Sequence, residues 1–223
     1  NLCQFKAITV MGPALMIFPE MCHGCGGCLK ICPKDALTPG ERELGRIESG
    51  WAGPAGRQFR FLMGRLRVGE AMSPPLMRQV RKHLAGLTLG GLDAVLDSPP
   101  GVSCPAISSV LDSDVIVLVT EPTPFGFHDF KLAVEAFAPL GKPIGVVVNR
   151  AGSGDDSVQE HCRTHGLPLL AEIPYRRNLA EAYSQGRVLA DTGPELHAIF
   201  TDLRDAIRTL ARTAARPTGD AHA

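Results

Sequence analysis

The chain has 223 residues and 23 basic against 23 acidic side chains, so its formal net charge is zero; 44% of its residues are hydrophobic and only 5% aromatic. This is the composition of an ordinary globular chain of one to two domains, and its balanced charge leaves no electrostatic footprint for nucleic acid. The longest apolar run, Val115 to Val119, falls far short of the roughly 18 residues that a membrane span needs, so no membrane insertion is expected and the expected location is the cytoplasm.

Residues 1 to about 40 form a cysteine-rich module. Cys22, Cys25, Cys28 and Cys32, followed by Pro33, write C-x2-C-x2-C-x3-C-P, the run with which bacterial ferredoxins hold 4Fe-4S clusters. Thiolates two residues apart converge from one tight loop, and Gly24, Gly26 and Gly27 let that loop fold back. In two-cluster ferredoxins the fourth cysteine ligates the other cluster, so the motif implies a twin. Half of that twin is visible: Cys3-Gln4-Phe5-Lys6-Ala7-Ile8 has the shape of Cys32-Pro33-Lys34-Asp35-Ala36-Leu37. Cys3 therefore reads as the last cysteine of a first motif whose other members lie upstream of Asn1, and the chain reads as an N-terminally truncated piece. Cys22, Cys25, Cys28 and Cys3 complete one 4Fe-4S cluster in this chain, with Cys32 left as a ligand of a second cluster in the longer parent. Structural zinc, which also takes four thiolates, is the competing reading. Disulfides fit less well, because seven cysteines is an odd count and no signal peptide is visible.

Turn residues Thr38-Pro39-Gly40 close the module. From 46 to 68 an alternating pattern predicts a hairpin with Phe59, Phe61, Leu66 and Val68 on its buried face and Gly64 between the two arms. Ser73-Pro74 predicts a helix start capped by Ser73, and Leu76, Met77, Val80 and Leu84 follow at helical spacing. Apolar, partly β-branched runs then predict strands buried on both faces at Leu92–Leu96, Val115–Thr120, Ile144–Val148 and Leu169–Ile173. Helical patterns separate them at about 105–111, 127–139 and 156–165, with another at 177–185. The alternation predicts an α/β fold with a doubly wound, mostly parallel sheet over 41–213. A last helix over about 193–212 gathers Leu196, Ile199, Phe200, Leu203, Ile207 and Leu210 on one face, which suits packing on the sheet. Residues 214–223 read as a disordered tail.

Ligands of such sheets bind beyond the carboxyl ends of the strands. Those ends read Asp97-Ser98-Pro99-Pro100-Gly101, Glu121-Pro122-Thr123, Asn149-Arg150 and Pro174-Tyr175. An aspartate at the tip of a buried strand suits magnesium or a water, and a glycine lets a backbone N–H approach a phosphate. The amide of an asparagine can read a base edge. Taken singly, each of these is as well explained by a turn or a cap. Cys104 suits a small buried residue opening the next helix, Cys162 a partly buried helix residue, His128 a cap or packing residue, and His23 a surface neighbour of the cluster rather than a ligand.

Together these segments resemble MinD-type P-loop ATPases that carry an inserted ferredoxin domain. The resemblance runs through Phe18 to Cys28, Asp97-Ser98-Pro99-Pro100-Gly101 with Cys104-Pro105, Thr120 to Gly126 with His128-Asp129, Val147-Val148-Asn149-Arg150, and Ile173-Pro174-Tyr175 with Ala180 to Gly186. It implies that Asp97 acts with Mg2+ and ATP, that Pro99, Pro100 and Gly101 form a turn sensing the γ-phosphate, and that Asn149, with Arg150 and the Pro174 turn, contacts adenine. A homodimer across the nucleotide face and a redox or cluster-acceptor partner are implied as well. Two departures stand out. The 223 residues contain no G-x-x-x-x-G-K-[ST] phosphate loop, so negligible ATP hydrolysis is expected of this chain, and Arg176 stands where relatives often carry an acid. The implied function is coupling of ATP binding to electron transfer through 4Fe-4S clusters; the alternative is a protein that assembles or carries clusters.

Overall fold

The computed structural model describes residues 3–53, 58–70, 72–87 and 90–214; the tail beyond 214 lies outside the described residues. The chain divides into two compact units, Asn1–Ala94 and Val95–Ala223.

In the first unit, Ile8–Met11 (β1) and Ala14–Ile17 (β2) form an antiparallel hairpin. A short helix, Gly27–Ile31 (α1), follows left-handed Gly26 and ends at Cys32. Gly45–Ala52 (β3) and Phe59–Leu66 (β4) form a second antiparallel pair, Gly45 opposite Leu66 and Ala52 opposite Phe59. The hairpin is thus present, but Gly64 lies inside β4 and does not separate two arms. The reason is the helix Ser73–Ala85 (α2): a Cβ at Gly64 would stand 2.9 Å from Leu76 Cγ and 3.0 Å from Val80 Cγ2. Glycine lets the helix come down on the strand, which seats Leu76 in the core. Val68, expected on the buried face, lies past the end of β4 and is fully exposed, and Phe59 is exposed too. Ser73 is already inside α2. Met72 is the cap residue and no side chain caps the helix; the Met72 amide instead donates to Glu70 Oε1 at 2.9 Å.

The second unit runs as Cys104–Val110 (α3), Ile116–Thr120 (β5), Pro124–Phe137 (α4), Ile144–Ala151 (β6), Ser157–His165 (α5), Leu169–Pro174 (β7), Arg177–Ser184 (α6) and Pro194–Ala214 (α7). Its sheet is parallel with order β5-β6-β7. Central β6 is buried on both faces, with Val146, Val147 and Val148 at 0–1% exposure, as its unbroken apolar run demands. On one face Val146 and Val148 pack with Phe130, Val158 and Cys162, and Ile116 and Ile144 pack with Ala106 and Phe137. Gly145, one residue out of phase, faces the other way. A Cβ there would meet Leu170 at 2.4 Å and Leu210 of α7 at 3.1 Å, so helices cover both faces and the sheet is doubly wound. The apolar stripe of α7 packs inward, with Leu196 fully buried.

One expected strand is absent. Leu92–Leu96 carries no strand pairing, and Val95 is 97% exposed. A run suited to burial on both faces becomes a strand only when a neighbour completes its hydrogen bonds, and no described residue does so.

Candidate iron–sulfur site and nucleotide edge

The two cysteine turns that look alike in sequence are alike in backbone. The Lys6 amide donates to the Cys3 carbonyl at 3.2 Å and the Asp35 amide to the Cys32 carbonyl at 3.3 Å. The third residue after each cysteine is left-handed, Lys6 at φ 56° and Asp35 at φ 46°. That twist turns the following amides back toward sulfur: the Ala36 amide donates to Cys32 Sγ at 3.3 Å. Desolvation works to raise the Cys3 thiol, yet the amides of Ala7, Phe5, Ile8 and Lys6 together outweigh it and hold the pKa below the ordinary cysteine value. At Cys32 the amides of Lys34 and Ala36 do the same against desolvation and the Asp35 charge. Between these turns lies the loop of Cys22, Cys25 and Cys28, where the Gly24 amide donates to Cys22 Sγ at 3.4 Å and Gly24 and Gly26 are left-handed. Cys22 and Cys25 are exposed, and Cys3, Cys28 and Cys32 half-buried.

This chemistry suits an iron–sulfur cluster. Thiolate is the ligating form, and N–H groups aimed at sulfur both favour it and tune a cluster. Among the described residues, no three His, Cys, Asp or Glu side chains converge on a single ion; a cuboidal cluster takes one thiolate per iron and so holds its ligands apart. The residues fit the group: Cys22, Cys25 and Cys28 from the loop and Cys3 from its turn would hold one cluster, which supplies one-electron storage when bound.

At the carboxyl end of the parallel sheet, three strand ends meet. Arg150, at φ 56° beside a register irregularity between Val148 and Ala151, reaches Glu121 Oε2 at 3.2 Å. Its guanidinium also lies 4.8 Å over the Tyr175 ring, and the Tyr175 amide donates to the Ala151 carbonyl at 2.9 Å. A Cβ at Gly154 would stand 1.4 Å from the Pro122 carbonyl oxygen, so only glycine fits there. Asn149 and Arg150 lie within β6 itself, just before its last residue Ala151, and not after it. The Asn149 side chain is half-buried. Pro174 closes β7.

Asp97 differs from expectation: without the Leu92–Leu96 strand it is an exposed residue of an irregular segment, followed by exposed Pro99, Pro100 and Gly101, the last at φ 81°. Ser98 ties the segment to α3 through a 2.5 Å bond between its hydroxyl and that of Ser109. Cys104 opens α3 as expected but is exposed, because its helix position faces away from Ala106 and Ser109. Cys162 is fully buried rather than partly, and burial raises its thiol. His128 is exposed. Sequence reasoning missed the ring stack of Phe5 on His23, 3.5 Å between centroids and 8° between planes, although His23 follows Cys22 directly and Phe5 stands two residues after Cys3. It also missed the joining of Glu121, Arg150 and Tyr175, for which their shared place at strand ends was the available signal.

Comparison with known proteins bears on both regions. Residues 15–38 match the 4Fe-4S binding domain. Two uncharacterised proteins of Methanocaldococcus jannaschii are 24% identical over 216 residues and 28% identical over 210, covering 95% and 93% of this chain and 69% of each relative. An iron-sulfur cluster carrier protein of Aquifex aeolicus is 28% identical over 138 residues, 55% of this chain and 38% of the carrier. Among solved structures, the MinD cell division protein of Aquifex aeolicus is similar at 18% identity and a TM-score of 0.45, over 66% of this chain and 63% of that one. No helix among the described residues is long and apolar enough to cross a membrane. The 4Fe-4S match marks residues 15–38 as an iron–sulfur binding motif in a chain whose second unit is an α/β fold with a parallel sheet.

Proposed function

We propose that this iron–sulfur protein couples ATP binding to electron transfer through 4Fe-4S clusters, with residues 1–40 as the cluster module and 41–213 as the nucleotide-binding part. The observation that carries the reading is the complete ferredoxin ligand run, whose sulfurs at Cys22 and Cys32 accept amide hydrogen bonds. A full set of thiolates favours a resident cluster over one held for delivery. At the sheet end the Asn149 amide reads the adenine edge, flanked by Arg150 and Pro174, while Asp97 holds Mg2+ and the Pro99-Pro100-Gly101 turn follows the γ-phosphate. Pairing of two copies across that face, a cytoplasmic location and a redox partner complete the reading.

A second reading, delivery of clusters to an acceptor, is favoured by the relative named as an iron-sulfur cluster carrier. Two measurements decide. Anaerobic reconstitution should give about four irons and four sulfides per chain, falling to about three irons on Cys3→Ala; zinc without sulfide would overturn the iron–sulfur reading. Iron retained in the presence of an apo-acceptor supports electron transfer, and iron that moves to the acceptor supports the carrier.

A further inference from the structure

Three of the four thiolates of the completable cluster, Cys22, Cys25 and Cys28, come from one loop. Cys3 comes from a different turn, before the β1–β2 hairpin. Its presentation therefore depends on a contact between the turn and the loop, and the structure contains one. Phe5, two residues after Cys3, lies flat on His23, the residue after Cys22, with centroids 3.5 Å apart and planes within 8°. Neither ring is held there by a surrounding core: Phe5 is 42% exposed and His23 is exposed as well. A face-to-face contact between two exposed rings, one next to Cys22 and the other two residues after Cys3, fixes the distance and tilt of the Cys3 turn against the loop. The hydrogen bond from the Phe18 amide to the Ala7 carbonyl, 2.8 Å, ties the turn from its other side.

We propose that the Phe5–His23 stack is the clamp that seats Cys3 as the fourth thiolate beside Cys22, Cys25 and Cys28. Phe5 and His23 are then positioning residues for the cluster, and His23 acts through the plane of its ring, not through a nitrogen bound to iron. The proposal rests on the iron–sulfur reading above.

The test reconstitutes the whole chain anaerobically and measures iron, sulfide and EPR spectra in the oxidised and reduced states, for the wild type and for Cys3→Ala, Phe5→Ala, His23→Ala and His23→Phe. The wild type is expected to hold about four irons with a reduced-state signal. Phe5→Ala and His23→Ala are expected to reproduce Cys3→Ala, with about three irons and the oxidised-state signal of a three-iron cluster in place of the four-iron one. His23→Phe keeps the ring face and is expected to restore the wild-type spectrum. Wild-type spectra from both alanine variants would overturn the clamp while leaving the iron–sulfur reading intact. So would a His23→Phe variant that behaves like His23→Ala, since the nitrogen would then be what matters. A wild type that binds no iron and sulfide overturns both.

Discussion

Lys6 and Asp35 hold a left-handed backbone that costs a residue bearing a side chain roughly 1–2 kcal/mol. Asp tolerates that region through its short polar side chain whereas Lys does not, so at Lys6 above all the strain is supported by the cysteine turn itself, whose amides point at sulfur. Glycine adopts the conformation freely. Lys6→Gly and Asp35→Gly are each expected to stabilise the first unit by about 1 kcal/mol in chemical denaturation of the metal-free chain; a lower midpoint would show that the side chains repay the strain through contacts of their own. Gly154 is the opposite case. Because its missing Cβ would collide with the backbone oxygen of Pro122 at 1.4 Å, Gly154→Ala is expected to cost about 2 kcal/mol or more, read as a lower thermal midpoint of the second unit. The repeat of the cysteine turns was legible because it is written in spacing. The conformation it encodes was not, because Lys at its third position gives no sign of positive φ.

In the first unit the α2–β4 contact sets the element packing, and it turns on Gly64. Adding a methyl there brings it within 3.0 Å of Leu76 and Val80, so Gly64→Ala is expected to destabilise by about 1–3 kcal/mol, with a Leu76→Ala partner mutation recovering part of the loss in a double-mutant cycle. The start of α2 is held by Glu70, which accepts the Met72 amide and pairs with Arg42. The Met72 amide chiefly, with the Arg42 charge, overcomes desolvation and holds the Glu70 carboxyl below the usual range. A depressed folded value means that the unfolded chain binds the proton more readily. The stabilisation is therefore complete above the ordinary glutamate value of about 4.3 and is lost as pH falls through the folded value. Denaturation midpoints of Glu70→Gln should show a shallower acid decline than wild type over that window; parallel curves would dismiss the role. The elements themselves were mostly legible. The helices of the second unit and its strands β5 to β7 follow their apolar rhythm closely, because a parallel core writes itself as unbroken branched runs. Gly64 was misread as a break because its purpose, room for a helix, lies outside its own strand. Leu92–Leu96 was misread because a strand is a property of a pair and sequence describes one member.

For the whole chain, the phosphate loop is the deciding absence in the sequence: without its N–H cradle and lysine, little of the charge on a transferring phosphoryl group is compensated. Phosphate release by the purified 223-residue chain is accordingly expected to match a no-protein control, and turnover that follows the chain through purification would refute this. Of the candidate sites, the 4Fe-4S match at residues 15–38 was legible as a motif, whereas the meeting of Glu121, Arg150 and Tyr175 was legible only as a set of strand ends, since what joins them is the crossover topology. Strand β6 carries a last consequence. Its middle, Val146 to Val148, is sealed on both faces, while its final residues lose regular pairing with β7 between Val148 and Ala151. Amide hydrogen exchange should therefore be slowest in the unit at Val146–Val148 and quicken within three residues toward Arg150, so that one strand is anchored at its centre and able to open at its carboxyl end.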